Sequence, residues 1–264
     1  MVKLNDIISY LNEIAPSTLQ EVYDNSGLIL GNPEASISGI LVCLDADYSA
    51  VKKASELECQ LVVSHHPPIF KAVKVFTDET FEGKLLTLAI KNDIALYSIH
   101  TNYDSVSGGL TDILCRKIGL SDIKVLKPSS PLSPQHGFGR YGKINPQNGL
   151  DFIKYLKKTL NLDAIRFVGN IPDKIMTVAV YNGSYDREIV RELEEVKPDL
   201  LITGDLKYHD AQELLEKGLF TVDAGHYGTE KHFVEAMSEL LEEEFPQLDI
   251  AKYKGKDVFQ YHIG

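Results

Sequence analysis

The sequence predicts an α/β protein with mostly parallel or mixed sheets in two lobes. Short apolar runs such as ILVCL and LVVS alternate with stretches whose apolar residues recur at helical spacing. Strands that alternate with helices imply crossover connections and parallel pairing. A segment rich in proline, serine and glycine at residues 127–139 interrupts this alternation, which then resumes. We interpret the interruption as the passage from one lobe to the other.

The individual elements follow in chain order from an amphipathic first helix, in which Leu4, Ile7, Leu11 and Ile14 share one face. In the first half, strands are predicted at residues 37–47, 61–66 and 94–100, and helices at 49–58, 81–91 and 109–118. In the second half, strands are predicted at 139–144, 164–169, 174–183, 199–205 and 220–225, and helices at 149–160, 188–196 and 229–244. The tail at 250–262 is predicted to form a hairpin that turns at 254–256.

The domain boundaries are predicted from the spacing of the histidine motifs. The last motif, DAGHYGTE, has to meet the first two in space if all three contribute to one site. We therefore expect a metal-binding lobe made of residues 1–127 plus 220–264, and an inserted second lobe at 128–219.

Composition narrows the classes of function that the chain can have. A formal charge of −11 disfavours general nucleic-acid binding, which depends on a basic surface. No apolar run approaches the roughly 20 residues that cross a bilayer, and the first helix lacks the features of a signal peptide. The three cysteines lie far apart without CxxC spacing, which favours a reducing compartment. We expect a cytoplasmic protein with no membrane association.

Histidines and carboxylates gather where the predicted strands end. His65 and His66 follow LVVS, and the prolines behind them stiffen the exit from the strand. His100 follows IALYSI and His226 follows FTVDAG, and each has a carboxylate four residues later, at Asp104 and Glu230. Ligands of open α/β sheets collect at the carboxyl ends of the strands. Either pair alone could be a hydrogen-bonding arrangement, but three such elements predict a metal centre.

The ligand chemistry suits more than one metal. Imidazole and carboxylate without thiolate fit zinc, iron, manganese or nickel. Five or six ligands are too many for one catalytic zinc, whereas two divalent ions that share carboxylates accommodate them. We therefore predict two divalent metal ions. His209, after the strand DLLITGD, is interpreted either as a side chain that closes over the site or as an exposed helical histidine.

The motifs SHHPPIF, SIHTNYDSVSGGL, TGDLKYHDA and DAGHYGTE together resemble the NIF-three-like family, whose bacterial members are often called GTP cyclohydrolase 1 type 2 homologues. The resemblance implies two interleaved α/β lobes, a toroidal homohexamer and a pair of divalent ions. It implies the ligands His65, His66, Asp104, His226 and Glu230, with Asp104 as a bridge and His100 as a further ligand or the partner of one. A site role for Asp24 rests on the same resemblance. The turn YNGSYD departs from the family, because Tyr185 stands where a small residue is common.

These observations support a metal-dependent hydrolase or cyclohydrolase that acts on a small molecule, such as a nucleotide. His100 or His209 would move protons, because imidazole titrates nearest neutral pH. No residue pattern recognises guanine, and Lys71 and Lys74 are either phosphate ligands or solvated loop residues. The first rival interpretation is a non-enzymatic, metal-stabilised scaffold or regulatory protein. The second is nucleic-acid binding inside a ring, which the net acidity disfavours.

Overall fold

The computed structural model describes residues 1–262 of the 264-residue chain. The strands are β1 (Val2–Lys3), β2 (Gly27–Leu30), β3 (Ser36–Ile37), β4 (Gly39–Asp45), β5 (Leu61–His66), β6 (Ala95–Ser98), β7 (Ser121–Pro128), β8 (Gly137–Gln147), β9 (Arg166–Val168), β10 (Ile175–Val180), β11 (Leu200–Thr203), β12 (Thr221–Asp223) and β13 (Asp249–Tyr253). The helices are α1 (Leu4–Ile14), α2 (Tyr48–Glu56), α3 (Phe81–Lys91), α4 (Thr101–Ser105), α5 (Leu110–Lys117), α6 (Gly149–Thr159), α7 (Val190–Val196), α8 (Tyr208–Glu216), α9 (His226–Glu230) and α10 (Phe233–Glu244).

The chain forms two compact units. The first comprises residues 1–103 and 232–256, and the second comprises 104–231 and 257–264. The mixed α/β fold is as predicted, but the unit boundaries differ from the expected 1–127 plus 220–264 and 128–219. The difference has a physical cause, because β7 hydrogen-bonds to β8 and β12 hydrogen-bonds to β11, so both strands belong to the second unit's sheet. The expected limits also include residues 263–264, which lie outside the described residues.

The first unit is built on a five-stranded sheet in the order β13-β4-β5-β6-β2. Strands β13, β4, β5 and β6 are parallel, and only β2 at the edge is antiparallel. β4 and β5 are almost wholly buried, which explains their unbroken apolar sequence. One core cluster of this unit combines Leu41 and Val62 from the sheet with Val51 and Leu85 from the helices α2 and α3. The parallel core brings the carboxyl ends of β4, β5 and β6 to one edge.

The second unit is built on a six-stranded sheet in the order β7-β8-β10-β11-β12-β9. β10, β11 and β12 are parallel, whereas β7, β8 and β9 pair with antiparallel neighbours. Phe152 and Val178 belong to one core cluster and Leu193 and Leu201 to another. The turns that follow β10, β11 and β12 come together at the carboxyl ends of these three strands.

A buried ion pair strengthens the second unit. Arg140 is 1% exposed, and its guanidinium donates to Asp112 at 2.9 Å. The same guanidinium donates to the backbone carbonyls of Gly137, Ser105 and Val106, so the charged group has hydrogen-bond acceptors in addition to the Asp112 carboxylate. Ser105 directly follows Asp104, and the arginine therefore anchors the backbone beside that carboxylate.

The structure corrects three local predictions. The tail does not form a hairpin, because β13 pairs in parallel with β4 and no second strand follows it among the described residues. The helix predicted at 229–244 is two helices, α9 and α10, with a break at Lys231 and His232. Strands β2 and β7 were not predicted, because β2 is only four residues long and half-buried, and β7 alternates only weakly between apolar and polar residues.

No helix among residues 1–262 combines the length and the apolarity that a bilayer crossing requires.

Candidate metal centre

The first group of candidate ligands, here called the histidine cluster, consists of His65, His66 and His100. β5 and β6 are parallel neighbours, so the histidines that end β5 and the one that follows β6 lie at the same sheet edge. One ring nitrogen of each lies within 4.8 Å of the corresponding nitrogens of the other two. The ring centroids are 5.0–5.4 Å apart. The prediction that these strand ends bring histidines together is confirmed for this unit.

Each ring of the histidine cluster is oriented through its Nδ1 atom. His65 Nδ1 lies 2.9 Å from the carbonyl oxygen of Ile99, and the buried ring packs on Phe233 at 5.0 Å. His66 Nδ1 lies 2.7 Å from Asp45 Oδ1. Carbonyl and carboxylate oxygens only accept hydrogen bonds, so each Nδ1 carries the proton of the neutral ring. Nε2 is then the atom that presents its lone pair, as in metal-binding histidines whose other nitrogen is held by an acceptor.

Asp24 holds the third histidine of the cluster. Its buried carboxylate accepts from His100 Nδ1 at 2.8 Å, and also from Thr101 N, Ser26 Oγ and Asn25 N. Burial alone would raise the pKa of Asp24, but the hydrogen bond from His100, the charge that the His100 ring carries when it is protonated, and the hydrogen bonds of Thr101 and Asn25 hold the pKa well below its ordinary value. Asp24 therefore orients His100 as an ionised carboxylate.

The second group, here called the carboxylate cluster, consists of Asp104, His226 and Glu230. His226 and Glu230 occupy the two ends of α9, and the prediction that they face each other across one turn is confirmed: His226 Nε2 lies 3.0 Å from Glu230 Oε2. His226 Nδ1 lies 2.8 Å from Asp205 Oδ2. Asp104 and Glu230 are connected by Asn182, whose Nδ2 donates to Asp104 Oδ1 at 2.7 Å and to Glu230 Oε1 at 3.2 Å.

Glycines allow the turns around the carboxylate cluster to approach each other. Gly183 has φ +67°, and a Cβ there would collide with Glu230 Oε1. A Cβ on Gly204 would collide with the backbone of Gly183 and of His226. Gly183, in the turn YNGSYD, therefore lies close to Glu230 within the second unit. Tyr185 is buried in a core cluster instead, where burial raises its pKa.

The side chains of both clusters are of types that bind divalent cations. The donor set contains imidazole and carboxylate without thiolate, which suits zinc and the other borderline divalent metals. His226 Nε2 and Glu230 Oε2 are 3.0 Å apart, and two bonds of about 2.1 Å to a shared ion would hold them at that separation. A neutral His226 ring that donates to Asp205 turns a lone pair toward Glu230 Oε2, and a cation bound to both atoms would offset their repulsion, whereas a protonated ring would donate to both carboxylates.

His209 belongs to neither the histidine cluster nor the carboxylate cluster. It lies exposed on α8, with Nδ1 3.2 Å from Gln212 Oε1 and its ring against Tyr208. No group of three or more potential ligands among residues 1–262 includes it. A catalytic role for His209 stays a prediction without a contact to support it.

The sequence reasoning missed the residues that hold the ligands. Asp45, Asp205 and Asn182 each orient a cluster side chain. Asp45 is the last residue of β4, and Asp205 and Asn182 lie two residues after β11 and β10, in ILVCLD, LLITGD and VAVYN. The signal that identified the histidines, a polar residue at the end of a buried strand, was therefore present for these three as well.

An α/β fold with candidate ligand clusters at the carboxyl ends of parallel strands defines a potential metal-binding protein. The sequence model of the family Duf34/NIF3 (NGG1p interacting factor 3) matches residues 2–257, and the chain belongs to this family. A Clostridium perfringens protein named GTP cyclohydrolase 1 type 2 homolog is 35% identical over 98% of this chain and 100% of its own length.

Solved structures agree with this assignment. The Bacillus cereus protein related to NIF3 superposes with a TM-score of 0.92 over 99% of both chains, and at 22% identity it supports the fold alone. Reduced HcgD from Methanocaldococcus jannaschii superposes with a TM-score of 0.83 over 95% of this chain and 97% of its own, at 30% identity. The resemblance predicted from the four sequence motifs is confirmed.

Proposed function

We propose that this protein is a metal-dependent hydrolase or cyclohydrolase that uses two divalent cations. His65 and His66 of the histidine cluster, and Asp104, His226 and Glu230 of the carboxylate cluster, would hold the ions, with His100 beside them. The observation that carries the proposal is the shared arrangement of four imidazoles, each of which places Nδ1 against an oxygen acceptor, as do histidines that bind a metal through Nε2.

A pair of bound divalent ions supplies a water of lowered pKa and polarises an electrophilic carbon or phosphorus atom. The protein's own residues contribute orientation and charge. Asp24, Asp45 and Asp205 fix the imidazoles by hydrogen bonds of 2.7–2.8 Å. These negative partners also make the imidazoles better donors to a cation. His100 is the first candidate for proton transfer, because Asp24 holds its ring at a defined tautomer.

The substrate class follows from the relatives and is part of the proposal. Curated relatives carry the name GTP cyclohydrolase 1 type 2 homolog, which makes a nucleotide the first substrate to test. The described contacts of the two clusters contain no element that distinguishes guanine from another base. We therefore propose the reaction class, hydrolysis of an activated ring carbon or a phosphoester, ahead of any single substrate.

The test begins with metal analysis of protein purified without a histidine tag or chelators. Wild type is expected to contain up to two divalent ions per chain, and the Asp104→Ala variant is expected to lose both metal and turnover, since Asp104 would be one of the residues that hold the ions. Asp151→Ala is the matched control, because Asp151 is exposed on α6 and forms its ion pair with Lys154, away from the candidate ligands. Wild type that binds no ion, or Asp104→Ala that turns over substrate without metal, would contradict the proposal.

Activity is then assayed on the metal-loaded protein. GTP with divalent metal is followed by formate release, and nucleotides, phosphoesters and cyclic amides are screened in parallel. Tightly held ions without turnover of any of these would instead favour the scaffold or regulatory alternative.

We also propose that the protein acts as a homohexamer in the cytoplasm. The cytoplasmic part rests on three buried cysteines that are all free, as a reducing compartment would leave them. The oligomer part rests on the family resemblance. Light scattering on the purified protein should give six times the 29.4 kDa mass of one chain, and a monomer mass would contradict it.

A further inference from the structure

Asn182 occupies a position between two acidic side chains of the second unit. Its side-chain nitrogen donates to Asp104 Oδ1 at 2.7 Å and to Glu230 Oε1 at 3.2 Å. Asn182 is 8% exposed, and Asp104 and Glu230 are 9% and 3% exposed. One buried amide group therefore engages one oxygen of each carboxylate.

The choice of an amide has a chemical reason. Two buried carboxylates repel each other, and each needs hydrogen bonds to remain ionised away from water. A lysine or arginine at this place would satisfy them but would also neutralise the charge that attracts a cation. An asparagine amide supplies two N–H groups without a positive charge. It can hold both carboxylates in place while they keep their full affinity for a metal.

Thr111 fixes which way the amide points. Its Oγ1 donates to Asn182 Oδ1 at 2.6 Å, and the same hydroxyl lies 3.1 Å from the backbone oxygen of Asp104. Because the amide oxygen accepts from Thr111, the NH2 group has to face the carboxylates. Thr111 is fully buried on α5, so this orientation does not depend on solvent.

The turn that carries Asn182 is itself attached to α9. Gly183 N donates to Thr229 Oγ1 at 3.0 Å, and Thr229 precedes Glu230. The oxygen of Glu230 that Asn182 does not hold lies 3.0 Å from His226 Nε2. Asn182 thus takes Oε1 and leaves Oε2 beside the imidazole nitrogen that the proposed cation would use.

We propose that Asn182, kept in orientation by Thr111, is a positioning residue that presents Asp104 and Glu230 to the cation. It holds the two carboxylates in their binding arrangement before the ion arrives, so that less of the binding free energy is lost to ordering them. The inference rests on the proposed function, because it requires a cation at the carboxylate cluster. Asn182 lies outside the four motifs that resemble the family, in the turn YNGSYD that departs from the family pattern.

The test measures Co²⁺ affinity, by competition with a chelating dye, and the visible absorption spectrum of the Co²⁺ protein. Asn182→Ala should weaken Co²⁺ binding by about tenfold to a hundredfold, the usual effect of removing a partner that orients a ligand, and should change the Co²⁺ spectrum. Thr111→Val, which keeps the shape but removes the hydroxyl, should weaken binding by a smaller factor. Thr111→Ser, which keeps the hydroxyl, should retain affinity within about twofold.

Asn148→Ala is the matched control. Asn148 caps α6 in the same unit by accepting from Leu150 N at 3.0 Å, so its loss should lower the melting temperature of the metal-free protein without touching the carboxylates. If affinity follows thermal stability, Asn148→Ala and Asn182→Ala will weaken Co²⁺ binding alike, and the positioning role is overturned. Co²⁺ binding by Asn182→Ala within about twofold of wild type would overturn it as well.

The remaining outcomes are also decisive. If Asn182→Ala does not fold, the comparison of Thr111→Val with Thr111→Ser decides, and equal affinities refute the role. Wild type that binds no Co²⁺ would refute the proposed function and this inference together. Wild type that binds Co²⁺ while every variant binds equally well would refute only the inference.

Discussion

Replacing Asp24 by Asn is expected to destabilise the first unit even though the two side chains have the same shape. The Asp24 carboxylate divides its donors between two oxygens: Oδ1 accepts from His100 Nδ1 and Asn25 N, whereas Oδ2 accepts from Thr101 N, Thr101 Oγ1 and Ser26 Oγ. An amide keeps only one accepting oxygen. One of the two sets must therefore face an NH2 group.

The orientation that the new amide at position 24 adopts sets how much the free energy of unfolding falls. With NH2 at the Oδ2 position, the hydroxyls of Thr101 and Ser26 can rotate to accept, but Thr101 N–H cannot. An orphaned buried donor costs about 1–3 kcal/mol, and the loss of charge weakens the contacts that remain. We expect Asp24→Asn to lower the free energy of unfolding by about 2–4 kcal/mol.

Chemical denaturation of the metal-stripped protein at neutral pH measures this effect. Asp47→Asn is the control in the same unit, because Asp47 caps α2 by accepting from Ala50 N, and asparagine caps a helix about equally well. The control should stay within about 0.5 kcal/mol of wild type. If Asp24→Asn is as stable as Asp47→Asn, the buried acceptor network does not have the energetic role that its geometry indicates.

Three further changes test the second unit. Gly183→Ala should destabilise the protein and weaken metal binding, because its backbone is left-handed and the new Cβ meets the Glu230 carboxylate; an unchanged melting temperature and metal content would contradict this. Asparagine at position 205 can adopt the positive φ of 48° but removes the negative charge beside His226, so Asp205→Asn should change the melting temperature little. Metal affinity, measured by chelator competition, should fall by roughly tenfold. Arg140→Met leaves the buried Asp112 without its cation and should cost about 3–5 kcal/mol in chemical denaturation; a loss below about 1 kcal/mol would show that the pair is dispensable.

The central strands and most helices could be predicted because their sequences carry one dominant pattern. β5 and α3 were predicted with the bounds that the structure shows, since a buried parallel strand and a capped amphipathic helix have strong local signals. Edge strand β2 has only four half-buried residues, and β7 alternates weakly. Their existence depends on a partner strand that local sequence does not reveal.

The candidate ligands were predictable because histidine at a strand end is uncommon and its chemistry is specific. Asp45 and Asn182 were not, because an aspartate or asparagine after a strand is more often a turn residue. Their distinguishing property is the residue that they contact, which for Asn182 lies 78 positions away at Asp104. Such contacts depend on strand order, and the sequence does not show that β10 lies between β8 and β11.

The pairing of β13 with β4 has a consequence for synthesis on the ribosome. Residues 249–253 complete the sheet of the first unit, and Phe233, which packs on His65, also comes late in the chain. The central segment of the second unit, residues 104–231, emerges as one stretch before either of these is translated. In nascent chains, residues 104–231 should therefore become resistant to proteolysis first. Residues 1–103 should become resistant only after the last strand, β13, has been synthesised and has paired with β4.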